Sequence, residues 1–95
     1  MKDYLLKKDM NTICESAQRY RVKKLMLFGS MLSRQSANDI DLAVSGLSGR
    51  SFFQFHADLD GTLSLPVDMI DLDVKSPFVD LVEITGKVIY DVDKR

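Results

Sequence analysis

Two stretches decide how this chain folds: Lys24-Leu25-Met26-Leu27-Phe28-Gly29-Ser30 and Asp39-Ile40-Asp41-Leu42-Ala43-Val44. The first is a short, mostly apolar run that ends on a Gly-Ser pair. That is the pattern of a central strand covered by helices and stopped by a turn. The second also reads as a strand, but two acids alternate with its apolar residues. Side chains in a strand alternate between faces, so Asp39 and Asp41 share one face while Ile40 and Leu42 hold the other. Two neighbouring carboxylates repel unless a positive charge sits between them, and a divalent cation supplies that charge.

The flanking segments predict helices and strands around this pair. Over residues 3–20, Leu6, Met10, Ile13, Ala17 and Tyr20 recur at intervals of three and four, the stripe of an amphipathic helix. Asp3 and Asp9 both offer a cap for its first turn. Met31 to Ser36 predicts a helical turn, followed by a loop through Asn38. Residues 50–60 predict a helix with Phe52, Phe55 and Leu59 on its buried stripe, Ser48 or Ser51 as cap, and Asp60-Gly61 as its break. Leu65 to Leu72 predicts a third strand, with Pro66 near its start where a missing donor is tolerable. Ser76-Pro77 places a cap and a first-turn proline before a helix running to Thr85, and Gly86 suits its end. Lys87 to Tyr90 predicts a short edge strand. The expected class is α/β (α+β), a small mixed sheet of about four strands with helices packed against it.

Composition narrows the function. With 95 residues, 45% of them hydrophobic and 28% charged, the chain fits one folded domain over residues 1–95. The net charge of −1 is unevenly spread: eight Lys or Arg face three acids in residues 1–37, and five face eleven in residues 38–95. Neither half is a basic tract for wrapping nucleic acid, and no basic channel for an RNA end is evident. Twelve of the fourteen acids are Asp, a hard ligand for Mg²⁺. The single cysteine, Cys14, excludes an internal disulfide and reads as a small buried hydrophobe. No apolar run reaches membrane-spanning length, and the charged N-terminus lacks a signal-peptide core. A cytoplasmic protein is the expectation.

A third acid, Asp68, interrupts the apolar run Val67-Asp68-Met69-Ile70. A polar residue in such a run implies a partner. If its strand neighbours residues 39–44, Asp68 reaches the pocket of Asp39 and Asp41. Three carboxylates would then hold one or two Mg²⁺ ions, neutralise a triphosphate and orient the attacking oxygen. Asp68 alternatively accepts the proton of an incoming hydroxyl. Gly29 lets the backbone turn and approach a phosphate, and the N–H groups of the next turn point at the anion. The Ser30 hydroxyl would donate to a phosphate oxygen, with Arg34 reaching the same oxygens. Singly, a Gly-Ser turn or an Asp-x-Asp strand is ordinary; together and in this order they read as one site. His56 reads as a packing or surface residue, Asp71 faces away from Asp68, and Asp73 is expected in solvent. Phe53 is left over from its helix stripe and is a candidate partner contact.

At Phe28-Gly29-Ser30, Asp39-Ile40-Asp41-Leu42 and Val67-Asp68-Met69 the chain resembles the nucleotidyltransferase superfamily related to DNA polymerase beta. Its preceding helix and its closing Gly86-Lys87-Val88-Ile89-Tyr90 are similar to the minimal nucleotidyltransferases. The resemblance implies transfer of a nucleoside monophosphate from a nucleoside triphosphate to a hydroxyl, with Mg²⁺. It implies Asp39 and Asp41 as metal ligands, Asp68 as third carboxylate, and Gly29 and Ser30 as triphosphate contacts. Minimal members pair with a small all-helical HEPN protein as antitoxins, which implies AMP transfer from ATP to a tyrosine hydroxyl of that partner. The loop Met31 to Asn38 is shorter than is usual in such members and has no Gly after Arg34. That departure motivates an alternative, a binding module that neutralises its partner by occlusion. A small-molecule acceptor is disfavoured, because the chain has no room for a second domain to shape its pocket.

Overall fold

The computed structural model of the chain describes residues 7–29 and 39–94. Helix α1 spans Lys7–Tyr20, strand β1 Lys24–Phe28, β2 Ile40–Ser45, α2 Gly49–Asp60, β3 Val67–Asp71, α3 Pro77–Thr85 and β4 Lys87–Asp91, followed by a short 3₁₀ turn at Val92–Lys94. The helical turn expected over Met31 to Ser36 lies outside the described residues, as does the start of the first helix. The strands form one four-stranded sheet in the order β3-β2-β1-β4. β1 pairs antiparallel with β2 and β4, whereas β2 and β3 are parallel. The sheet is mixed, as expected, and α2 is the crossover that a parallel pair requires.

The two faces of the sheet differ in cover. On one, Leu25, Leu27, Ile40, Leu42 and Val44 meet Ile13 and Ala17 of α1 and Phe55 and Leu59 of α2, all buried. Alternation in β1 and β2 delivers these residues to one side, and the three- and four-residue spacing in the helices delivers theirs. Tyr90 closes this core from β4, and Tyr20 packs its ring 5.3 Å from Phe55. The opposite face carries a smaller cluster of Met26, Ala43, Leu72, Val79 and Val82, covered by α3.

Several local expectations shift. β2 begins one residue later than predicted, leaving Asp39 just before the strand, and β3 is shorter at both ends. Pro66 stands before β3 and its carbonyl accepts from Ile40 N–H at 2.8 Å. Ser76 caps α3 by accepting from Val79 N–H, as predicted, while Ser48 takes the cap position of α2 with no side-chain cap bond. Asp9 is not a cap: it is 3% exposed, and its carboxylate accepts from the Ser64 hydroxyl. Cys14 is half-buried rather than buried, and burial raises its thiol pKa.

Candidate active site

The lightly covered face of the sheet holds the acids. Asp41 and Asp68 are register partners across the parallel β2–β3 pair, so their side chains leave neighbouring strands on the same side. Asp39 stands two residues before Asp41 and shares its face. One carboxylate oxygen from each of Asp39, Asp41 and Asp68 lies within 4.8 Å of the others. Asp39 and Asp41 are half-buried and Asp68 is exposed, so the cluster opens to solvent. The hydrogen bond between Asp39 and Asp68 raises the Asp39 pKa above the ordinary carboxylate value, with partial desolvation and the Asp68 charge adding to it. Three carboxylates gathered this closely are a donor set that could hold a hard divalent cation, whose charge would offset their repulsion.

Gly29 belongs to the same cluster for a steric reason. Phe28 is the register partner of Asp41, so the residue after it lies beside the Asp41 carboxylate. A Cβ built at Gly29 would sit 2.2 Å from Asp41 Oδ2, and the Gly29 φ is +70°. Both facts require glycine: an L side chain would be strained there and would displace the Asp41 carboxylate oxygen. Ser30 and Arg34, the other expected phosphate contacts, lie outside the described residues.

The strand carrying Asp68 is fixed at its entry by α2. Asp60 Oδ1 accepts from Val67 N–H at 2.8 Å, and the His56 Nε2–H donates to the Val67 carbonyl. Both bonds seize the backbone one residue before Asp68. His56 is therefore a packing residue, as expected, with a further role in holding β3. At the other end of the strand, Asp73 is exposed but not simply solvated. It accepts from Ser45 Oγ and Gly46 N–H, each at 2.9 Å, tying the segment after β3 to the end of β2. Donation by Gly46 is the largest cause of its lowered pKa, with Ser45, Lys23 and Lys75 adding to it against partial desolvation.

The chain belongs to the polymerase beta nucleotidyltransferase family, whose model matches residues 11–95. Among solved structures, it is similar to a toxin–antitoxin crystallised with AMP-PNP, at 26% identity and a TM-score of 0.73 over 90% of this chain and 75% of that one. A mutant of the MntA–HpeT toxin–antitoxin is 25% identical with a TM-score of 0.72, over 90% of this chain and 75% of the other. A complex of MNT antitoxin with a tri-AMPylated HEPN toxin of Shewanella oneidensis shares the fold, at 24% identity and a TM-score of 0.70, over 92% of this chain and 73% of that one. No curated protein matches the sequence. Among the described residues, no helix is long and apolar enough to cross a membrane.

Proposed function

We propose that the chain is a cytoplasmic antitoxin that transfers AMP from ATP to a hydroxyl, a tyrosine by resemblance, of a small all-helical HEPN-type partner. The observation that carries this reading is the convergence of Asp39, Asp41 and Asp68 within 4.8 Å on an open sheet face. The family match supports nucleotidyl transfer, and the likeness to a toxin–antitoxin with AMP-PNP supports both an adenine nucleotide and the antitoxin role. All 95 residues are taken as one nucleotidyltransferase unit.

Asp39, Asp41 and Asp68 would hold Mg²⁺, which when bound neutralises phosphate charge and orients the reacting oxygens. The acceptor oxygen attacks the α-phosphorus, forming the new P–O bond as the bond to pyrophosphate breaks. The hydroxyl proton leaves to a carboxylate, and Asp68, the most exposed of the three, would accept it. Gly29 keeps the Asp41 oxygen in position, while Ser30 and Arg34 would contact the triphosphate.

The test is to incubate the chain with ATP, Mg²⁺ and its HEPN-type partner. One or more AMP units should appear in the partner's mass, and Asp39→Asn/Asp41→Asn should abolish the gain. No mass gain on a partner that binds would overturn the transfer reading. If the double variant then still neutralised that partner, occlusion would replace it.

A further inference from the structure

Six large apolar side chains are exposed among the described residues, and four of them lie between residues 74 and 84: Val74, Phe78, Leu81 and Ile84. Three belong to α3, whose Val79 and Val82 are already buried against the sheet. A surface helix ordinarily spends its apolar residues on one stripe. Here a second set, spaced three apart, sweeps about 120° of the solvent side of the helix. Ile84 is 80% exposed and Leu81 54%, so the burial of α3 in its own fold does not explain them. Apolar patches of this kind mark interaction sites.

The patch is continuous with the candidate active site. Phe78 packs edge-on against Phe28 at 5.8 Å. Phe28 in turn pairs with Asp41 and precedes Gly29. The surface therefore runs from the three carboxylates, over the Phe28–Phe78 contact, and along α3. An acceptor that delivers a hydroxyl to those carboxylates must lie over the surface beside them. The charge of α3 adds a preference: its exposed charged residues are Asp80 and Glu83, with no cation on the helix.

We propose that the outer face of α3 is the docking surface for the acceptor protein, and that it takes a helical partner presenting apolar side chains flanked by basic residues. This rests on the reading of the chain as a protein-modifying nucleotidyltransferase. Leu81 and Ile84 are the anchors, buried by the partner and not by the sheet. Asp80 and Glu83 form a rim that speeds association with a basic partner and adds little to affinity. Phe78 joins the docking face to the reacting centre.

The test uses the charge-neutral Leu81→Gln/Ile84→Gln variant, with a thermal melt to establish that it is folded. Binding of the small helical HEPN-type partner is measured by calorimetry, beside binding of Mn²⁺ with AMP-PNP. The expected result is an affinity for the helical protein at least about tenfold weaker, with metal–nucleotide binding as in the wild type. Asp39→Asn/Asp41→Asn should show the reverse. Partner binding as tight as wild type in the Gln variant would overturn the proposal. So would a wild-type chain that does not bind the helical protein, or one that self-associates through α3 while the variant still binds the partner normally. If the α3 variant loses the partner but the wild type adds no AMP to it, the docking surface stands and the transfer reading falls.

Discussion

The two faces of the sheet are built by the same strands and do opposite work. The face under α1 and α2 is sealed: Ile13, Leu25, Ile40, Leu42, Phe55 and Leu59 are fully buried. The face under α3 is thinly covered, and there Asp39, Asp41 and Asp68 replace hydrophobes along β2 and β3. Alternation along a strand makes this possible, because residue 40 faces the core while residues 39 and 41 face the other way. The sealed face carries most of the folding energy, and the open face spends some of it on repelling carboxylates. Changes on one face should therefore move stability, and changes on the other should move activity.

The sharpest break between the faces is expected from Asp39→Asn/Asp41→Asn. AMP transfer should fall by at least about 10³-fold, the scale of lost charge stabilisation at a reacting centre. Stability should not fall with it. The Asp39 pKa is raised in the fold, so the stability linked to that group is present below its unfolded pKa and is lost as pH rises through the folded value. In metal-free protein, Asp39→Asn should raise the unfolding temperature at neutral pH, and the gain should shrink as pH falls. Thermal melts with and without chelator check both directions.

The reverse behaviour is expected on the sealed face. Phe55→Ala should cost about 3–5 kcal/mol in urea unfolding, since Phe55 is fully buried between the sheet and Tyr20. Any variant that remains folded should still bind the metal and nucleotide. Gly29→Ala tests the seam between structure and chemistry. Backbone strain should cost about 1–2 kcal/mol, and displacement of the Asp41 oxygen should weaken metal binding by more than the stability loss explains. The smallest effect is expected at Asp73→Asn. Asp73 is largely solvated, so its loss should cost under about 1 kcal/mol at neutral pH. Its pKa is lowered in the fold, so its contribution is present above the unfolded pKa and disappears as pH falls through the folded one. The variant and the wild type should converge in acid.

The sequence made the shared face of Asp39 and Asp41 legible, because alternation is local. Asp68 was legible only on the condition that its strand lay beside β2, since parallel pairing depends on a crossover that local pattern does not encode. The register that puts Phe28 opposite Asp41 was not visible, so the reason for Gly29 was read as phosphate access and not as room for a carboxylate. Asp9 with Ser64, and His56 and Asp60 with Val67, were missed for the same reason. Each is a polar group satisfied by a partner that only the fold brings near. The second apolar stripe of α3 did leave a signal. Phe78, Val79, Leu81, Val82 and Ile84 are too many apolar residues for one buried side of a nine-residue helix.

The central claim is that Asp39, Asp41 and Asp68 act as one divalent-cation site at the open face. It is tested most directly by titrating Mn²⁺ with AMP-PNP into the wild type and into the three single Asn variants and the Asp39→Asn/Asp41→Asn pair. The account predicts one metal–nucleotide site, weakened at least about tenfold by each single change and lost in the pair. Wild-type affinity in the Asp39→Asn/Asp41→Asn protein would contradict it.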